Sequence, residues 1–198
     1  MQARAEKTRS SILASARKLF AASGFAGTAV DDIAADAGAN KQRIYAYFGS
    51  KKQLFEAVLL EVFAESAADF ASFADSIDPA VSDLTFELSQ YYQTLHLQKP
   101  EFQRLLMWAN LENAIDPEKL SAARQQENAC LRSWFAAAQQ AGRIHRTIAF
   151  ESWLLTVMGT VYFASSNAKT LRNTLGKSFF CEESQQQRSR DLARLFGA

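Results

Sequence analysis

The chain has 198 residues, about half of them hydrophobic, with three prolines, eight glycines and a net charge of +1. So few chain breakers argue against a many-turned β architecture, and a core of this size argues against dependence on disulfides or metals. Cys130 and Cys181 form no CxxC pair, the N-terminal stretch to Arg17 lacks the apolar run of a signal peptide, and no long uncharged apolar stretch appears. The expectation is a cytoplasmic chain with no membrane segment and no cofactor.

The charge is unevenly spread. Residues 1–52 hold nine Lys/Arg against four acids, a balance of +5, whereas the remainder holds thirteen against seventeen, a balance of −4. A basic head on an acidic body suits a polyanionic partner for the head, although a solvated mixed-charge surface has the same composition.

In chain order, a first helix is expected from about Ala5 to Ser23. Ile12, Leu13, Ala16, Leu19 and Phe20 form its apolar stripe, Gly24 stops it, and Phe25 folds back onto the stripe. Thr28-Ala29-Val30-Asp31 reads as a capping box opening a short second helix that ends near Ala37, with Gly38 as breaker. Its inward residues by spacing are Val30, Ile33, Ala34 and Ala37. Asn40 is an N-cap for a third helix, Lys41 to Phe48, with Ile44 and Phe48 inward. Gly49 ends it, and Ser50-Lys51-Lys52-Gln53 caps a fourth helix reaching about Phe73. Five more helices are expected, at about 79–97, 100–114, 117–141, 147–168 and 182–196. Pro79, Pro100 and Pro117 sit in first turns, and Gly142 closes the third of the five.

Residues 28–48 carry the sharpest signal. Two short helices meet through Ala37-Gly38-Ala39: a small residue (Ala34) at the crossing, a glycine that tolerates positive φ, and an apolar residue (Ile44) facing back. The free face of the second helix then carries Lys41, Gln42, Arg43, Tyr45 and Tyr47. Lys and Arg suit phosphates or guanine edges, and Gln suits adenine. The N-terminal end of such a helix reaches bases, which points to Lys41, Gln42 and Arg43. Lys51 opens the next helix, where free N–H groups and the dipole favour an anion.

Across residues 8–60 the chain resembles the TetR family of bacterial transcriptional regulators. The resemblance rests on Thr8-Arg9, Ile12-Leu13, Ala16, Leu19-Phe20, Gly24-Phe25, Thr28, Asp32-Ile33-Ala34, Ala37-Gly38-Ala39, Ile44-Tyr45, Tyr47-Phe48, Ser50-Lys51 and Leu54-Phe55. Asn40 stands where many members have serine, and it caps equally well. The resemblance implies an all-α, Ω-shaped homodimer with a three-helix helix-turn-helix head (residues 1–50) and a larger helical ligand-binding and dimerisation body (51–198). It implies that Tyr45, Tyr47 and Lys51 contact phosphates and that Lys41, Gln42 and Arg43 read bases. With Thr28, these make the expected DNA-binding set. It further implies that the last two helices pair with their counterparts, and that a small-molecule effector moves the fourth helix.

The body is legible only in pattern. Phe102, Met107, Trp108, Asn110 and Leu111, with Trp134 and Trp153 on later helices, are candidates to line an effector cavity, and Asn110 or Glu112 could orient the ligand; plain core packing explains any one of them as well. Glu151 reads equally as a buried anchor or an exposed acid, and Cys130 and Cys181 read as small hydrophobes. Trp153, Leu154, Val157, Met158, Val161 and Tyr162 form an apolar surface wider than one stripe, with Leu192, Leu195 and Phe196 as a second. His96 and His145 have no partnered ligand pattern, and no nucleophile elbow, Walker or dinucleotide motif occurs. The expected function is a non-enzymatic, ligand-responsive repressor that binds a palindromic duplex operator as a dimer. The alternative is a dimeric DNA-binding protein without an effector.

Overall fold

The computed structural model describes residues 2–112, 114 and 116–197. It is all-helical, with no strand among the described residues. In chain order the helices are α1 (Gln2–Ser23), α2 (Val30–Asp36), α3 (Lys41–Phe48), α4 (Lys51–Ala74), α5 (Leu84–Gln98), α6 (Pro100–Glu112), α7 (Pro117–Gln140), α8 (Phe150–Ser166), α9 (Ala168–Leu175) and α10 (Glu182–Phe196), with a 3₁₀ turn at Lys177–Phe180 before the last. No helix is long and apolar enough to cross a membrane among the described residues. The chain forms two compact units. One comprises Met1–Ala68 with Lys99–Gln125, and the other Asp69–Gln98 with Gln126–Ala198.

In the first unit, α1 packs on α2, α3 and α6. Ile12, Leu13, Ala16 and Phe20 bury the expected stripe, while Leu19 is only half-buried. The Phe25 ring folds back as anticipated, 6.3 Å from Phe20 and 5.5 Å from Phe55 between centroids. The short helices add Val30, Ile33, Ala34, Ile44 and Phe48 to this core. Each fully buried aliphatic side chain among these is worth about 2 kcal/mol of apolar burial.

The second unit is built on α5, which packs against α8 and α10. Trp153 is completely buried at its centre, and its indole Nε1–H donates to Thr85 Oγ1 at 2.9 Å. That bond satisfies two polar groups which would otherwise be costly to bury. Gly142 closes α7 as expected: at φ +69° it lets the Arg143 N–H reach the Ala138 carbonyl (2.8 Å) and its own N–H reach Gln139 (3.2 Å).

Several expectations need correction. Pro79 does not start a helix. It lies in a turn where Asp78 accepts from the Ala80 N–H, and α5 begins at Leu84, capped by Asp83 through the Phe86 N–H at 3.1 Å. The expected 147–168 helix starts at Phe150 and breaks at Asn167, and α9 then follows, unanticipated, with no buried residue. Cys181 is not a packed hydrophobe: it is exposed at the N-cap position of α10, and its Sγ–H donates to Ser184 Oγ. Cys130 is half-buried, which raises its thiol pKa. Glu151 is exposed and ion-paired with Arg132 at 2.8 Å.

Candidate nucleic-acid interface

The geometry of the helix-turn-helix follows from three local devices. Ala37 caps α2, and Gly38 follows at φ +59°. The Ala39 N–H then reaches the Ala34 carbonyl (2.9 Å) and the Gly38 N–H reaches Ala35 (3.3 Å), so orphan carbonyls at the end of α2 are satisfied within the turn. Ser11 on α1 ties this turn down by donating to the Ala37 carbonyl at 3.1 Å. Asn40 Oδ1 accepts the Arg43 N–H at 2.8 Å and starts α3 where the sequence placed it. Ser50 caps α4 through the Gln53 N–H at 3.1 Å.

Thr28 behaves differently from expectation. The N-cap of α2 is Ala29, with no side-chain cap bond. Thr28 is 3% exposed, and its hydroxyl donates backwards to the Gly24 carbonyl (2.7 Å) and the Leu19 carbonyl (3.2 Å). Gly24 lies past the last residue of α1, so its carbonyl has no helical partner and claims this hydroxyl ahead of the start of α2. Thr28 therefore braces the α1–α2 turn instead of offering its hydroxyl outward.

Ile44 and Phe48 are buried, which turns Lys41, Gln42, Arg43, Tyr45 and Tyr47 outward. Tyr45 and Tyr47 are large aromatics left exposed on this face. The Lys41 ammonium is held by Asp31 Oδ2 at 2.9 Å, and that hydrogen bond raises its pKa. Between α1 and α2, Lys18 pairs with Asp36 at 2.7 Å and lowers its pKa. Two of the four acids that dilute the basic head are thus spent on its own lysines. Lys51 is half-buried, its Nζ 4.6 Å from the centroid of the Phe25 ring, and Arg9 stands over Phe48 at 5.3 Å.

The first unit also shows what holds the head. Arg17 on α1 donates to Glu65 on α4 (2.7 Å) and Glu101 on α6 (2.8 Å); the Glu65 bond is the largest cause of its raised pKa, outweighing the opposing cost of burial. Lys119 on α7 pairs at 2.6 Å with the buried Glu56 of α4. None of these partners was singled out from sequence, because spacing identifies a helix face but not the element that covers it.

The seven candidate ligand-lining residues do not come together within either unit. Phe102, Met107, Trp108, Asn110 and Leu111 lie on α6 in the first, and Trp134 and Trp153 lie in the second. Leu111 is 74% exposed and Asn110 is exposed. Trp108 lies against the Gly24 backbone, and Phe102 packs edge-on to Phe63 at 5.4 Å. Met107 is half-buried. Trp153 is a core residue. Trp134 stands in an aromatic group with Phe70 (5.7 Å) and Phe73 (5.9 Å), and Phe73 stacks on Tyr91 at 4.5 Å. Beside it the Tyr92 hydroxyl donates to Glu127 at 2.9 Å.

Comparison with known proteins decides the family. Residues 12–58 match the model for bacterial regulatory proteins of the tetR family, and residues 86–195 match a tetracyclin repressor-like C-terminal domain. The chain belongs to the TetR family. It is 32% identical over 177 residues to the HTH-type transcriptional repressor NicS of Pseudomonas putida, covering 86% of this chain and 82% of that protein. It is 36% identical to the HTH-type transcriptional repressor SCO4008 of Streptomyces coelicolor, over 63% of this chain and 60% of the relative. A TetR family transcription regulator from Marinobacter aquaeolei shares the fold with a TM-score of 0.76 at 20% identity, covering 100% of this chain and 99% of that one. As a TetR-family member the chain is a DNA-binding transcriptional regulator.

Proposed function

We propose that this TetR-family regulator is a cytoplasmic, non-enzymatic, ligand-responsive repressor that binds a palindromic operator as a homodimer. Residues 1–50 serve as its DNA-binding head and 51–198 as its effector and dimerisation body. The observation that carries the reading is the outward face of α3, where Lys41, Gln42 and Arg43 open the helix and Tyr45 and Tyr47 follow. Gln42 and Arg43 read bases, with Lys41 joining them when it leaves Asp31. Tyr45, Tyr47 and Lys51 hold phosphates, and Thr28 contributes by bracing the turn.

The dimer reading is supported by α8 and α10. Leu155 is 74% and Phe163 57% exposed on α8, and Leu195 is 75% exposed on α10, while Gly159 leaves open space above its backbone. Exposed large apolar residues on neighbouring turns are costly in water and suit a symmetric partner. One short recognition helix also reads too few base pairs for useful specificity, which duplication about a two-fold axis repairs. The effector reading is supported by the aromatic group around Trp134, with the Tyr92–Glu127 pair as its polar element.

Selection of random duplex DNA by the purified protein, followed by salt titration of the winners, tests this reading. The expected result is a palindromic consensus whose binding falls steeply with salt. Capture of duplexes without a consensus would overturn it.

A further inference from the structure

Arg104, Trp108 and Glu112 are spaced four apart on α6, so they share one face of the helix. Each meets a successive piece of the end of α1. Arg104 Nη2 donates to the Ala22 carbonyl at 3.1 Å. The Trp108 ring lies so close to Gly24 that a Cβ there would sit 2.7 Å from a ring carbon. The Glu112 carboxylate accepts the Phe25 N–H at 2.6 Å and the Ala26 N–H at 3.1 Å. A cation on the carbonyl end of a helix and an anion on the free N–H groups beyond it are the favourable pairings at such a turn.

The contact continues past the backbone. Phe25, whose N–H Glu112 holds, is the residue whose ring face carries the Lys51 ammonium at 4.6 Å. Phe20 and Phe55 flank the same ring. The orientation of that ring is therefore fixed by two aromatic neighbours and by a backbone clasped from α6.

We propose that Glu112 is a positioning residue for DNA binding: from α6 it fixes Phe25, and through the Phe25 ring it fixes Lys51 for its phosphate. The inference rests on reading Lys51 as a phosphate contact. It places control of backbone affinity on α6, apart from the base-reading face of α3. A shift of α6 that withdraws the carboxylate loosens Lys51 and weakens every duplex by the same factor, with base preference unchanged.

A double-mutant cycle tests this, using the full-length chain and two labelled duplexes, one selected by the wild-type protein from a random pool and one scrambled. Lys51→Ala is expected to weaken both duplexes about tenfold. Glu112→Ala is expected to weaken both roughly three- to tenfold, and the double variant to bind no worse than Lys51→Ala alone, since coupled residues are non-additive. Phe25→Leu keeps the N–H that Glu112 holds but removes the ring under Lys51. It is expected to match Glu112→Ala in both duplexes when binding is measured well below each variant's melting temperature, so the proposal does not depend on Glu112→Ala folding. Multiplying losses in the double variant, wild-type binding by Phe25→Leu, or a changed base preference in Glu112→Ala would overturn the proposal. An unchanged Lys51→Ala would instead overturn the phosphate reading beneath it.

Discussion

Gly24→Ala probes the seat of α6 on the head. Gly24 has φ +76°, in the left-handed region, where an added Cβ costs about 1–2 kcal/mol. That Cβ would lie 2.7 and 2.8 Å from Trp108 ring carbons and 2.9 Å from Glu112 Oε1, all closer than real Cβ contacts. Forcing a side chain into a packed contact costs roughly another 1–3 kcal/mol. Gly38 supplies the control, since it has φ +59° and nothing within 4 Å of its Cβ position. Gly38→Ala carries the backbone cost alone, and the stiffening of the unfolded chain is common to both and cancels in the difference. Urea denaturation should therefore show Gly24→Ala destabilised by about 2–5 kcal/mol and Gly38→Ala by about 1–2 kcal/mol. Adding Trp108→Ala should recover part of the difference, because it removes the ring that the Cβ strikes. Equal losses for the two glycines, or no recovery with Trp108→Ala, would refute the placement of α6 over Gly24.

Other predictions concern the second unit. His96 is held near a pKa of about 4 by burial, with Nδ1 beside Ser165 Oγ at 3.0 Å. Its unfolded value is near 6.5, so between those values the unfolded chain binds more protons and stability drops as the pH is lowered. The contribution is intact above pH 6.5 and lost on descending to about pH 4, on the order of 3 kcal/mol for a shift of this size. Thermal melts of His96→Gln against pH should be flatter over that window, and an identical slope would dismiss the argument. Trp153→Phe should cost about 2–3 kcal/mol by removing indole volume and stranding the Thr85 hydroxyl. Thr85→Val in the same chain should recover part of that loss, as read by urea denaturation. Leu155→Glu with Phe163→Glu should give a monomer in sedimentation with weakened operator binding; an intact dimer would place the interface elsewhere.

The head was largely legible because its punctuation is local. Asn40 and Gly49 bracket α3 in the sequence, and the structure has Asn40 capping Arg43 and Gly49 at φ +75° after Phe48. Thr28 was misread because two elements compete for one hydroxyl, and sequence shows only the helix ahead of it. The end of α1 won through the Gly24 and Leu19 carbonyls. The α9 helix escaped notice because it buries no residue, so its apolar spacing serves no core. Pro79 misled because a proline suits a turn as well as a first helical turn, and Asp83 supplies the cap that decides. On α6 the spacing of Arg104, Trp108 and Glu112 was visible, but a helix face does not name its partner. The structure shows the contact that spacing could not: the Trp108 ring covers Gly24.

The central claim is that α3 reads sequence while Lys51 holds the backbone. The most direct measurement is repeated duplex selection with Arg43→Ala and Lys51→Ala beside the wild-type protein. The account predicts that Arg43→Ala relaxes preference at specific base pairs, with about 1–3 kcal/mol of discrimination lost there, while Lys51→Ala keeps the consensus and weakens all sequences alike. An unchanged consensus and affinity for Arg43→Ala would contradict the assignment of α3 as the reading element.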